Sequence, residues 1–130
     1  MKNRTGRPCR VRLERVSQLG QPHHDSATGY ELMLPLNADG HVDATSWTDN
    51  PRACTVQRFR RNRPRIQGLL ARTATGRWYF DYGSGKDADH FQGLGGDRFR
   101  VGQFVGICED DGKLWTYEVT SVDELAETRP

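Results

Sequence analysis

At 130 residues the chain has the length of one domain, enough to remove about two-thirds of its unfolded surface from water. Its 19 basic and 17 acidic residues leave a net charge of +2, without the strong positive excess of a dedicated nucleic-acid binder. Cys9, Cys54 and Cys108 are scattered and odd in number, with no Cys-x-x-Cys or Cys/His pair, which argues against a disulfide framework and a structural zinc site.

Residues 1–8 are basic, polar and broken by Gly6 and Pro8, and read as a disordered lead-in. Cys9 to Val16 alternates, with Val11 and Leu13 on one face and Arg10, Arg12 and Glu14 on the other, the pattern of a half-buried strand. Gly29 to Leu36 alternates more cleanly through Tyr30, Leu32, Leu34 and Leu36. Pro35 lacks an N–H, so that strand should end or lie at an edge there. Asn37-Ala38-Asp39-Gly40 is a turn. Asp43 then caps a short helix over Ala44 to Asp49, stopped by Pro51 and anchored by Trp47 over one open end of the sheet. Cys54 to Arg60 alternates again, with Cys54, Val56 and Arg58 opposite Thr55, Gln57 and Phe59. The arginine-rich turn 60–65 leads into a strand from Ile66 to Arg72.

Gly76-Arg77-Trp78-Tyr79-Phe80-Asp81-Tyr82-Gly83 holds the densest run of aromatics and reads as the central strand. Trp78, Phe80 and Tyr82 share one face, Tyr79 and Asp81 the other, so cover is expected on both sides. Residues 83–102 are glycine-rich and without periodicity, a long loop of the kind that is functional or disordered. Gln103 to Glu109 alternates loosely, Asp111-Gly112 signals a type I′ hairpin, and Leu114 to Val122 alternates with Trp115, Tyr117 and Val119 on one face. The expected organisation is all-β. A small closed or partly open barrel of about seven mostly antiparallel strands carries one short helix, spans 9–123 and ends in an acidic tail, 124–130.

The halves of the chain differ in charge, +6 over residues 1–65 and −4 over 66–130. The split fits either a basic binding face or first and last strands lying side by side with their charges paired, and the second is preferred. Free thiols suit a reducing cytosol, and the chain lacks an apolar run long enough to span a membrane or act as a signal peptide, so a soluble cytoplasmic protein is expected.

The blocks GYELMLPLNADGHVDATSW, CTVQRF, GRWYFDY and FRVGQFVGICEDDGKLWTYEVTSV resemble a family of small uncharacterised bacterial β-rich proteins. The resemblance runs from about Gly29 to Val122 and implies a stand-alone cytosolic domain. No activity, cofactor or catalytic residue comes with it.

Several motifs invite a functional reading. Arg58, Arg60, Arg61, Arg63 and Arg65 with Phe59 between them could bind phosphates and stack a base, although such a run also suits a solvated hairpin. Gly83-Ser84-Gly85-Lys86 lacks the upstream glycine and following Ser/Thr of a phosphate-binding loop, and Gly93-Leu94-Gly95-Gly96 lacks dinucleotide-binding spacing. Asp87, Asp89 and His90 offer metal-ligand chemistry in a short span, but solvated loop residues are the preferred reading and no metal or cofactor is expected. Cys108 beside Glu109, with His90 upstream, is a weak pattern for thiol chemistry, so no catalytic residue is assigned. The preferred function is a non-catalytic module binding a small molecule or a protein through the 83–102 loop, with contacts from Tyr82, Lys86, His90, Phe91, Arg98 and Arg100. Nucleic-acid or anion binding through the arginine hairpin is the alternative.

Overall fold

A computed structural model describes residues 6–16, 24–83, 89–92 and 98–125. Eight strands follow one another as β1 (Arg7–Val16), β2 (His24–Leu36), β3 (Thr55–Phe59), β4 (Ile66–Arg72), β5 (Trp78–Asp81), β6 (His90–Gln92), β7 (Phe104–Cys108) and β8 (Leu114–Glu124). Each pairs antiparallel with the next, and β8 returns to pair with β1, closing a barrel. Closure pairs every described strand on both sides over at least part of its length, which limits the exposed sheet edge. One α-helix, α1 (Ala44–Asp49), and a 3-10 turn, Pro51–Ala53, lie between β2 and β3. Among the described residues no helix is long and apolar enough to cross a membrane.

The alternating stripes become the barrel interior. Val11, Leu13, Tyr30, Leu32, Val56, Phe80, Ile107, Tyr117 and Val119 are essentially inaccessible to water. Removing each large apolar side chain from water contributes roughly 1.5–3 kcal/mol. Tyr30 lies between Phe80 and Tyr117, with ring centroids 5.1 Å away in both directions. The centre is thus packed with rings and branched aliphatics. Where β1 meets β2, a Cβ on Gly29 would lie 1.9 Å from the Leu13 carbonyl oxygen, so only glycine permits the approach. The ladder is irregular at the next pair, Glu14/Arg15.

The first and last strands do lie together. Arg10 faces Asp123, and Arg7 reaches Glu124 at 3.2 Å. Asp43 caps α1 as expected, its Oδ2 accepting from the Ser46 amide at 3.0 Å. The Trp47 indole donates to the Leu70 carbonyl at 2.9 Å and meets Trp78 edge to face.

Other expectations need correction. The stretch read as one long loop contains β6, whose three residues are too few to show periodicity, so the barrel has eight strands. Pro35 does lie at an edge, as expected: β2 runs through it to Leu36, but the pairing with β3 ends at Leu32/Val56. A proline N is no loss where no strand awaits its hydrogen. Arg7 and Pro8 belong to β1, whereas residues 1–5 of the expected lead-in, and 126–130 of the tail, lie outside the described residues. The β7–β8 hairpin is not type I′. Glu109 and Lys113 bracket a three-residue loop in which only Gly112 has positive φ, at 79°. This is a type I turn closed by a glycine bulge. The aromatic strand is buried on one face only: Trp78 and Phe80 point inward, Tyr79 is half-buried outside against His90, and Asp81 is exposed.

Candidate functional site

The C-terminal ends of β1, β3, β5 and β7 lie at one end of the barrel, and α1 with the C-terminal ends of β2, β4, β6 and β8 at the other. The two ends are built differently.

At the first end the inward stripes finish in polar groups. Arg15 follows Leu13 on β1, Arg58 follows Val56 on β3, Tyr82 follows Phe80 after β5, and Glu109 follows Ile107 after β7. The side chains of Asp89 and Glu109 are completely buried and that of Arg58 nearly so. Glu109 is the hub. Its Oε1 accepts from Arg15 at 2.9 Å and Arg58 at 3.0 Å, with Arg60 at 3.5 Å, while its Oε2 accepts from Tyr117 and lies 2.7 Å from the Tyr30 hydroxyl. Asp89 Oδ2 accepts from Tyr82 at 2.7 Å, lies 2.8 Å from the Tyr30 hydroxyl and stands 3.3 Å from Arg58. Arg15 stacks on Trp115, its guanidinium carbon 3.9 Å from the ring centroid, and covers the cluster from outside. Buried ionic groups need partners on this scale, because isolated charges pay a large desolvation cost.

Burial sets the titration of these groups. Desolvation pushes the Asp89 carboxyl above its ordinary range, although Tyr82 and Arg58 pull the other way. Burial and the neighbouring carboxylate oxygens push the hydroxyls of Tyr30, Tyr82 and Tyr117 up as well, so they stay protonated donors. Burial opposes the Arg58 charge, but the oxygens of Tyr30, Asp89 and Glu109 more than offset it.

The second end holds two pockets. A pocket of about 470 Å³ is lined by Leu36, Phe99, Val122 and Cys9, with Arg100, Arg7 and Glu124 on its wall. Asn37 Oδ1 accepts from the amides of Asp39 and His41, and the Phe99 amide donates to the Gly40 carbonyl at 2.7 Å, which fixes this turn against residues 98–100. Gly40 has φ of +88°, and a Cβ there would come within 3.2 Å of both Arg98 and Arg100. Arg100 donates only to the Ala38 carbonyl, at a long 3.4 Å, among the described residues. A second, largely apolar pocket of about 310 Å³ lies on the other side of Cys9, against Leu34, Cys54 and Leu125.

The residues expected to form one loop surface divide between the ends. Tyr82 belongs to the buried network. His90 lies on the outer wall, its ring 5.6 Å from Tyr79. Arg98 pairs with His41, and Arg100 lines the pocket at the helix end. Phe91 falls within β6, while Lys86 and the glycine motifs at 84–86 and 93–96 lie outside the described residues.

The arginine hairpin is also corrected. Arg58 points into the core, and Arg61 is bound to Asp25 at 2.7 Å. Arg65 reaches Glu31 at 3.2 Å, and Arg63 is exposed. Phe59 is buried beneath the guanidiniums of Arg12 and Arg65, which removes it as a stacking platform. Asp89 and His90 face opposite sides of the wall, as consecutive strand residues must, and the described residues contain no His/Cys/Asp/Glu group that could hold a metal ion. His90 and Cys108 are register partners, but no side-chain hydrogen bond joins them among the described residues.

Arg7, Arg15, Tyr30, Glu109 and Tyr117 were not singled out as site residues from the sequence. The available signal was the polar residue that ends each inward stripe. Comparison with family models, with curated proteins and with solved structures finds no match.

Proposed function

We propose that the protein is a non-catalytic binding module that takes a small organic anion, a carboxylate on an apolar body, in the pocket beside Arg100. One observation carries this reading: Arg100 stands over an apolar floor of Leu36, Phe99 and Val122 with no acidic partner among the described residues. A planar guanidinium matches a carboxylate bidentately, and apolar surface nearby would bind the rest of the ligand. The volume falls in the range of small-molecule sites. Arg7 adds a second positive group, partly neutralised by Glu124. The site draws on the end of the 83–102 stretch, through Phe99 and Arg100. Nucleic-acid contact through the hairpin is the weaker reading, because most of its guanidiniums already face carboxylates.

The test is an amide-detected NMR titration with hexanoate and benzoate, using hexylamine and benzylamine as controls. The carboxylates should shift residues 37–40 and 99–100, the amines should not, and Arg100→Gln should weaken binding about tenfold, as loss of one charge-assisted bond implies. Equal response to the amines, or shifts centred elsewhere, would overturn the assignment.

A further inference from the structure

The buried network holds a proton that its tyrosines cannot supply. Four oxygen–oxygen contacts join the carboxyls to the hydroxyls: Tyr30 to Asp89 and to Glu109, Tyr82 to Asp89, and Tyr117 to Glu109. Each contact needs one hydrogen between its oxygens, and three hydroxyls carry only three. Tyr30 has one proton and two carboxyl neighbours, so one of its contacts must be filled from the other side.

Charge compensation says which side. Glu109 Oε1 faces Arg15, Arg58 and Arg60, which stabilise a full negative charge there. Among the described residues Asp89 has one cationic partner, Arg58, whose other nitrogen is 3.3 Å away. The second Asp89 oxygen, Oδ1, is buried and has no hydrogen-bond partner among the described residues. A bare carboxylate oxygen in that position is costly, whereas the carbonyl oxygen of a neutral acid is much less so. We propose that Asp89 is a neutral acid whose Oδ2 proton is donated to Tyr30, which in turn donates to Glu109, and that losing this proton unfastens the seam between β5 and β6.

The seam is where such a loss would be felt. Among the described residues β5 and β6 share a single register pair, Tyr79 with His90, and the Phe80 amide donates to the Asp89 carbonyl at 2.9 Å. The Asp89 side chain adds a bond to Tyr82, just after β5, and ties this seam to Tyr30 on β2. Every element around Asp89 presents a titratable or charged group: Tyr30 from β2, Arg58 and Arg60 from β3 and its turn, and Tyr82 after β5. Glu109 and Asp110 follow β7, with Tyr117 on β8 and Arg15 on β1. Desolvation by these packed walls raises the Asp89 pKa, in the direction the proton count requires. The folded chain then keeps a proton that an unfolded aspartate has lost. Its stabilisation is complete below the ordinary aspartate range and disappears as pH rises through the higher pKa of folded Asp89.

Carboxyl carbon NMR of the wild-type protein reads the proton directly. Asp89 should keep the neutral-acid shift above about pH 4, where an ordinary aspartate ionises. Opening of the seam, followed by hydrogen exchange of the Phe80 amide after correction for intrinsic base catalysis, should rise with pH by up to about tenfold per unit in this window. Asp89→Asn, which carries a permanent donor in place of the acid proton, should fold and show a flat profile. An Asp89 carbon that titrates in the ordinary range overturns the proposal whether or not the variant folds, and so does an unchanged slope in the variant.

Discussion

One end of the barrel is closed by charge and the other by a tryptophan. At the first, Glu109 gathers Arg15, Arg58, Tyr30 and Tyr117. At the second, α1 lays Trp47 against Trp78, and pockets remain on both sides of Cys9. A hydrogen-bonded cluster fixes each member's direction, so it closes a surface tightly but fails badly when a member is lost. An apolar plug tolerates imperfect fit and leaves concave surface behind. The difference places structural demand at the charged end and concave surface at the helix end.

The largest break in that comparison should come from Glu109→Ala. It leaves Arg58 buried without its main counter-charge, and denaturant unfolding should show a loss of about 3–5 kcal/mol. Trp47→Ala attacks the other closure. Because Trp47 is only half-buried, the loss should be smaller, about 2–3 kcal/mol by the same measurement. If the Trp47 variant proved the more damaged of the two, the assignment of structural demand would be reversed. Asp43→Ala removes the helix cap and should cost about 1 kcal/mol, without altering the Asp89 carboxyl signal at the far end.

The smallest effect concerns the thiols. Burial pushes Cys54 up to about 11 and also raises Cys9, both beside the pockets at the helix end. Half-buried Cys108, on the outer wall, should therefore be alkylated first at mildly alkaline pH, as peptide mass mapping would report. Early labelling of Cys54 would mean that the helix end opens more readily than its packing implies.

Much of the barrel can be read from alternation alone, because a period of two dictates which side chains face inward. Val11 and Leu13, Tyr30 to Leu36, and Tyr117 with Val119 all behave this way. Asp43 and Trp47 were legible from helix-capping chemistry and from the size of an indole. β6 was not, since a three-residue strand carries no period. Arg58 shows the subtler limit. Its place on the stripe with Cys54 and Val56 pointed inward, yet an arginine-rich run suggested display to solvent. What decides the matter is Glu109, distant in sequence, and only the closed topology brings the two within 3.0 Å. The pocket beside Arg100 is equally non-local, joining β2, β8 and the segment before β7.

Amide hydrogen exchange across both ends under one slightly acidic condition tests the contrast most directly. The amides of Tyr30, Arg58 and Tyr117, beneath the charged cluster, should exchange only through global unfolding. Those of Gly40 and Phe99, beside the open pocket, should exchange by smaller local openings. If the pocket amides were the better protected set, the division of labour between the ends would be wrong.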